Sequence, residues 1–262
     1  MGNMLLLALI ATNMVTAAGL ALALFRLGRH RMRRRQRNLL SPWPIPRVAP
    51  GEIVPVLATG PLGPGVASEI IAIANYRVPG GVSDLETWVL CNIARSAHTI
   101  FEFGTATGKT TYLLARNAPP GAKVITLTLD PKAAHLYREE PGDCAAAKRS
   151  ALKESHDTFT YQGTAAAAKI TQLFGDSKEF DETPYAGACD LVFVDASHAR
   201  SYVDSDSRKA LRMVRPGGYV VWHDYGGPHH EGGVYDALNE LGRELPLRHV
   251  EGTMLVAYRR PE

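Results

Sequence analysis

A glycine turn between a strand and a helix constrains this chain most strongly. Residues 99–111 form an apolar run that contains Glu102, then Gly104 and Gly108, and then a helical pattern. This order predicts a strand, a tight turn and a helix N-terminus whose backbone N–H groups face an anionic or polar ligand. The sequence therefore predicts an α/β fold with a ligand site at one edge of its sheet.

The spacing of the two glycines separates three kinds of nucleotide site. A dinucleotide fingerprint needs G-x-G-x-x-G, but Ala106 and Lys109 occupy the second and third glycine positions. A phosphate-binding P-loop needs four residues between its glycines, and only residues 105–107 lie between these two. The pattern that fits is acid-x-Gly-x-x-x-Gly. A nicotinamide-dependent oxidoreductase remains an alternative that the spacing disfavours.

Acidic residues recur near the ends of the later predicted strands. These residues are Asp130, Asp176, Asp195 and Asp224. In a doubly wound sheet, the carboxyl ends of the parallel strands face one edge, where ligands bind. An ionised carboxylate there can accept hydrogen bonds from the hydroxyls of a ribose. An aspartate that only closes a turn is the alternative for Asp130.

The block from Val192 to Tyr225 carries the most specific pattern. One predicted strand ends in Asp195-Ala-Ser-His198, a helix and Arg-Pro-Gly-Gly follow, and the next strand ends in His223-Asp-Tyr225. With the glycine turn, residues 80–260 resemble the class I methyltransferases that bind S-adenosylmethionine (SAM), in a subgroup similar to small-molecule and sugar O-methyltransferases. The resemblance implies a Rossmann-like, doubly wound, seven-stranded sheet that closes with a C-terminal antiparallel hairpin.

The same resemblance implies roles for particular residues. The residues that it implies bind the cofactor are Glu102, Gly104, Thr105, Gly108, Asp130, Asp176 and Asp195. His198 and His223 are candidate general bases toward a hydroxyl group, since an imidazole with a pKa of about 6.5 suits neutral pH. A structural histidine bonded to a nearby carbonyl or carboxylate is the alternative for each. Asp195 and Asp224 are candidate ligands of Mg²⁺, although His223 stands where a second acid would strengthen that site.

The N-terminus differs from the rest of the chain. Residues 4–25 carry no charge, and at 1.5 Å per residue they reach about 33 Å, enough to span a bilayer core. Seven arginines follow between Arg26 and Arg37. Residues 1–25 are therefore expected to be a transmembrane anchor, with the catalytic domain on the cytoplasmic side of the cell membrane. A cleaved signal peptide is the alternative, but its positive charge should precede the apolar run.

Residues 26–64 are expected to form a polybasic and Pro/Gly-rich linker, and residues 65–262 a SAM-dependent methyltransferase domain. Within that domain, Ser83 and Glu86 form the pattern of a capping box at the start of a helix. The net charge of +3 hides an asymmetry, because without the seven arginines 22 basic residues stand against 26 acidic ones. This acidic remainder argues against a nucleic-acid partner.

These observations predict a single-pass membrane protein whose enzymatic domain methylates a small molecule, a glycan or a lipid acceptor. O-methylation of a sugar, a lipid-linked glycan or a small metabolite is the expected reaction, and residues 4–37 are expected to contact the membrane. The three scattered cysteines fit a reduced compartment. A non-catalytic scaffold of the same fold is the remaining alternative.

Overall fold

The computed structural model describes residues 16–17, 19–29, 32, 41–74, 81–228 and 232–262. The chain divides into two compact units, Met1–Pro42 and Trp43–Glu262. In the first unit, residues 19–29 are helical and exposed. Among the described residues, no helix combines the length and the apolar character needed to cross a bilayer. Most of the predicted anchor, including residues 4–15, lies outside the described residues, and so does most of the arginine run.

The second unit is built on one eight-stranded sheet. In chain order, its strands are β1 (Arg47–Val48), β4 (Thr99–Phe103), β5 (Lys123–Thr128), β6 (Ile170–Phe174), β7 (Cys189–Val194), β8 (Val214–Trp222), β9 (Arg248–Val250) and β10 (Val256–Arg259). The short strands β2 (Thr59–Gly60) and β3 (Gly63–Pro64) form a separate hairpin. The helices are α1 (Pro50–Ile53), α2 (Asp84–Ala94), α3 (Lys109–Asn117), α4 (Ala145–Lys153), α5 (Arg200–Met213) and α6 (Gly232–Leu241). Short 3-10 turns lie at Pro55–Leu57, Val66–Ser68, Pro131–Leu136, Ala165–Lys169 and Thr183–Tyr185.

The sheet order is β1-β9-β10-β8-β7-β4-β5-β6. Strands β8, β7, β4, β5 and β6 are mutually parallel, while β10 runs antiparallel to both β8 and β9. The predicted doubly wound sheet and its C-terminal hairpin are therefore present. The expected count of seven strands was wrong by one, because β1 adds an eighth strand in parallel register with β9.

Helices cover both faces of the sheet, so its central strands are apolar on both sides. Along β4, Phe101 and Phe103 belong to one core cluster while Ile100 belongs to the other. This alternation follows the two-residue period of a strand. Because the strands are fixed from both sides, the loops at their carboxyl ends are held in a defined arrangement.

Two local predictions can be compared directly with the backbone. The capping box is present: the Ser83 hydroxyl accepts the Glu86 N–H, and the Glu86 carboxylate accepts the Ser83 N–H at 2.6 Å. The Arg-Pro-Gly-Gly segment at residues 215–218, which the sequence pattern places between the helix and the next strand, instead forms a bulge within β8. There, Cys189 pairs with Val214 while Leu191 already pairs with Tyr219.

Residues 43–64 do not form the expected spacer. Ile45, Ile53 and Leu57 have at most 9% of their surface exposed and belong to the two core clusters of the second unit. The prolines suggested an extended linker. The apolar residues between them are instead buried, because removing their surface from water lowers the free energy of the folded chain. The compact unit therefore begins at Trp43, ahead of the expected boundary at residue 65.

Candidate active site

The glycine turn has the geometry that its sequence predicts. Gly104 has φ +95° and donates its N–H to the Leu127 carbonyl at 2.8 Å. A Cβ at this position would lie 2.0 Å from the Asp195 carbonyl oxygen, so only glycine fits. Gly108 has φ +73° and caps α3, with Phe159 and Tyr161 packed against it. The turn thus brings β4, β5 and β7 together at one edge of the sheet.

The side chains of two predicted cofactor residues are bonded to neighbouring strands. Glu102 is fully buried, and its Oε2 accepts hydrogen bonds from the hydroxyls of Thr111 and Thr126. Burial raises its pKa to about 8, so this carboxyl is mostly protonated at neutral pH. The Thr105 hydroxyl lies 2.8 Å from that of Thr126 and accepts the Gln172 amide at 3.1 Å. Both residues fasten the glycine turn to the sheet.

Two adjoining cavities open at this edge. The inner cavity lies against the ends of β5 and β6, and its lining includes Leu127, Thr128, Leu129, Tyr137, Asp176 and Tyr202. The cleft has a volume of about 640 Å³, and its lining includes Val82, Thr105, Lys109, His156, His198, His223, Asp224 and Met254. Gly104, Ala106, Glu154 and Asp195 border both. A volume of several hundred Å³ suits a cofactor or a small organic ligand.

The predicted cofactor residues divide between lining and supporting positions. Gly104 and Asp195 line both cavities, Thr105 lines the cleft, and Asp176 lines the inner cavity. Asp176 accepts the Tyr202 hydroxyl at 2.9 Å and the Lys178 N–H at 2.9 Å. Glu102, Gly108 and Asp130 are not among the residues lining either cavity. Asp130 instead accepts the Lys132 N–H at 2.8 Å in a local turn.

His223 is the centre of a buried group of carboxylates. Its Nδ1 lies 3.1 Å from Asp195 Oδ1 and 3.3 Å from Asp224 Oδ2, and its Nε2 lies 3.3 Å from Glu86 Oε2. Burial alone would lower the pKa of this imidazole, but the three carboxylates outweigh it and raise the pKa well above 6.5. His223 is therefore an imidazolium at neutral pH. Such a group can balance negative charge, and while it is protonated it is not available to accept a proton. Its role as a base stays a prediction.

Glu86 is the member of this group that sequence reasoning missed. Besides capping α2, its carboxylate accepts the Met254 N–H at 2.7 Å and faces His223. Burial would raise its pKa, yet His223 and the backbone donors lower it to about 2. The capping pattern accounted for Glu86 locally and left no signal of the longer-range contact. One carboxylate therefore joins α2, the hairpin β9–β10 and the end of β8.

His198 pairs with the last of the strand-end acids. Its Nε2 lies 2.8 Å from Asp224 Oδ2, and both side chains are largely buried at the wall of the cleft. Asp224 adopts a left-handed backbone conformation with φ +63°, which aims its carboxylate back toward His198 and His223. Ligand atoms of Asp195, His198 and Asp224 all lie within 4.8 Å of one another. The structure thus brings together both predicted metal ligands and one predicted base.

The arrangement can perform a limited chemistry. An imidazole paired with a carboxylate stands beside a cleft large enough for a small molecule, and a second, positively charged imidazole offsets the nearby acids. In general, an imidazole paired with a carboxylate can act as a base toward a hydroxyl group. The adjoining inner cavity, bounded by the glycine turn and Asp176, offers polar groups suited to a nucleoside.

Comparison with known proteins agrees with this geometry. A family model described as "Methyltransferase domain" matches residues 101–225. A curated catechol O-methyltransferase from Mycobacterium tuberculosis is 27% identical over 163 residues, covering 60% of this chain and 63% of that protein. The chain thus spans less than two thirds of the length of this relative.

Solved structures of methyltransferases are similar at lower identity. The O-methyltransferase TomG from Streptomyces achromogenes, in complex with SAM, is 24% identical with a TM-score of 0.48, covering 71% of this chain and 84% of that one. The methyltransferase PaMTH1 from Podospora anserina, bound to S-adenosylhomocysteine, is 19% identical with a TM-score of 0.49, covering 71% and 83%. Over residues 101–225, the chain is therefore similar to a methyltransferase domain.

Proposed function

We propose that this chain is a SAM-dependent O-methyltransferase that acts on a hydroxyl group of a sugar, a lipid-linked glycan or another small metabolite. The observation that carries the proposal is the His198–Asp224 pair, which lies on the wall of the cleft beside the glycine turn. The curated relative at 27% identity is a catechol O-methyltransferase, and this supports a hydroxyl acceptor.

The inner cavity and the glycine turn are the proposed cofactor site. When bound, SAM supplies an electrophilic methyl group on a sulfonium, so the protein needs only to align the acceptor and remove its proton. Gly104 allows the backbone to approach a ligand closely, and Asp176 offers a carboxylate to the adenosine side. Gly108 and Glu102 act indirectly by holding the turn in place.

His198 is the proposed general base. Because its Nε2 lies 2.8 Å from Asp224 Oδ2, its N–H is assigned to Nε2, and its basic nitrogen is then Nδ1. Nδ1 is buried in the wall of the cleft, so side chains of this wall must move for the acceptor hydroxyl to reach it. Asp224 stabilises the imidazolium that forms when His198 takes the hydroxyl proton of the acceptor. His198 would thus hold the proton, and the methyl group would come from a cofactor held by the glycine turn and Asp176. His223, already protonated, keeps Asp195 and Asp224 from repelling each other.

Asp195, His198 and Asp224 are also the candidate ligands for Mg²⁺. The triad offers two carboxylates and one imidazole, whereas Mg²⁺ prefers oxygen ligands in an octahedral arrangement. His223 Nδ1 also lies within 3.3 Å of both carboxylates and competes with a cation for them. This donor set fits Mg²⁺ poorly, so the proposed reaction contains no metal-dependent step.

We further propose that residues 4–37 attach the protein to the cell membrane, with the catalytic domain in the cytoplasm. The uncharged run and the arginines that follow it support this placement. Carbonate extraction of membranes from cells expressing the full chain tests it. Release of the protein into the soluble fraction would refute an integral anchor.

Methyl transfer from labelled SAM to a panel of catechols, sugars and glycolipids tests the enzymatic proposal. His198→Ala should bind S-adenosylhomocysteine normally and lower the turnover rate by about 100- to 10,000-fold. His156→Ala, which also alters a cleft-lining histidine, is the matched control and should retain most activity. SAM binding without transfer to any acceptor would favour a scaffold, and binding of NADH in place of SAM would favour an oxidoreductase.

A further inference from the structure

The family resemblance implies that Asp130 binds the cofactor through the ribose hydroxyls, and the structure offers a different carboxylate for that role. The wall of the inner cavity at the end of β5 consists of Leu127, Thr128 and Leu129. None of these side chains is an acid. Asp130 follows directly but closes a turn on the Lys132 N–H at 2.8 Å and lines neither cavity. A ribose beside this strand end would therefore meet no carboxylate from β5 itself.

Glu154 supplies a carboxylate to the inner cavity near the end of β5, where Asp130 does not. It lies directly after α4, is half-buried, and borders the inner cavity and the cleft at once. The Ser155 hydroxyl donates to the Leu129 carbonyl, which ties this part of the chain to the end of β5. The Ser150 hydroxyl donates to Glu154 Oε1 at 3.2 Å and so orients the carboxylate. Within the described part of the chain, Glu154 Oε2 has no hydrogen-bond partner.

The electrostatic surroundings of Glu154 suit a carboxylate that accepts hydrogen bonds from a ligand. Burial raises its pKa, His198 lowers it, and Asp195 and Asp224 raise it further. Two hydroxyl donors would replace the water that the carboxylate loses on burial. The junction of the two cavities is also where a nucleoside in the inner cavity would connect to a reactive group in the cleft.

We infer that Glu154, and not Asp130, is the carboxylate that receives the ribose hydroxyls of SAM. This assignment rests on the proposed function, since it presupposes that SAM binds at the glycine turn. It places a cofactor-binding residue on the segment between β5 and β6, at a position without a recognisable motif.

The test compares two ligands in the full chain by titration calorimetry: S-adenosylhomocysteine and its analogue that lacks the ribose 2′-hydroxyl. The wild-type protein should prefer the intact ribose by about 10- to 100-fold, as for a hydrogen bond to a charged acceptor. Glu154→Gln should weaken S-adenosylhomocysteine binding by about tenfold or more and largely remove the preference. Asp130→Asn, the matched control, should keep both the affinity and the preference.

The preference is a ratio of two affinities, so a partly unfolded preparation does not change it. If Asp130→Asn loses the preference while Glu154→Gln keeps it, the assignment is overturned. It is equally overturned if Glu154→Gln weakens both ligands by the same factor, because the carboxylate would then act on another part of the cofactor. Failure of the wild-type protein to bind S-adenosylhomocysteine would instead refute the proposed function, and the assignment with it.

Discussion

Replacement of Glu86 by glutamine tests whether the buried cation His223 depends on this carboxylate. The contact with His223 and two backbone donors shift the pKa of Glu86 from its ordinary value of 4.5 to about 2, against the effect of burial. At about 1.4 kcal/mol for each unit of pKa, this corresponds to roughly 3 kcal/mol of folding free energy. Glutamine keeps the size of the side chain but loses the charge, and its amide cannot accept both the Ser83 and the Met254 N–H groups.

The sign of the pH dependence follows from the direction of the pKa change. Because the folded-state pKa lies below the unfolded value, the stabilisation is complete above about pH 4.5 and disappears as the pH falls toward 2. Glu86→Gln should therefore cost about 3 kcal/mol at pH 7 and progressively less as the pH falls below 4.5. Urea denaturation followed by tryptophan fluorescence at several pH values measures this difference.

Asp84→Asn is the matched control, because Asp84 is an exposed acid in the first turn of the same helix. Its loss should cost less than about 1 kcal/mol, as for surface charges at a helix N-terminus. The reasoning is refuted if Glu86→Gln is no more destabilising than Asp84→Asn at pH 7. A penalty that stays constant from pH 7 down to pH 3 would refute it as well.

Three further predictions concern the turn, the loop after β6 and the metal. Gly104→Ala places a Cβ 2.0 Å from the Asp195 carbonyl oxygen, so the variant should be much less stable in thermal unfolding. It should also lose SAM binding in calorimetry. A melting curve like that of the wild-type protein would contradict this prediction. Lys209 donates to three backbone carbonyls at 2.6 to 2.9 Å, so Lys209→Met should lower the free energy of unfolding, measured by urea denaturation, by about 2–4 kcal/mol. A loss under about 1 kcal/mol would show that water takes over the hydrogen bonds of the ammonium group. Because His223 offsets the acids of the cleft, methyl transfer should survive treatment with EDTA, and activity restored only by Mg²⁺ would overturn the metal-free mechanism.

The sequence predicted those parts of the fold that depend on local patterns. The spacing of Gly104 and Gly108 and the apolar runs before each acid are local, and they indicated the strands, the turn and the shared sheet edge correctly. The roles proposed for individual binding residues remain predictions. The contact of Glu86 with His223 could not be predicted from local patterns. The capping box already accounts for Glu86, and the strand-end motif already accounts for His223, so neither pattern indicates that the two side chains meet.

Two other features escaped sequence reasoning for different physical reasons. The prolines of residues 43–64 are typical of a spacer, but the burial of Ile45 and Leu57 decides how this segment packs, and burial depends on surfaces formed elsewhere in the chain. Glu154 stands in a stretch without a motif, and only the packing of Ser155 on Leu129 brings it to the cavities. Tertiary contacts therefore determined the details of the site that sequence spacing left open.

The first residues of the compact unit also have a mechanical consequence. Trp43 packs edge-on against Tyr225 with ring centroids 5.3 Å apart, and Tyr225 directly follows Asp224. Three residues after Ile45, β1 ends in its pairing with β9. Tension applied to the chain ahead of Trp43 would thus be borne first by this aromatic contact and by a strand of two residues. A pulling force on the N-terminal flank would therefore act on Tyr225, and through it on Asp224, which pairs with His198, before it acted on the central strands of the sheet.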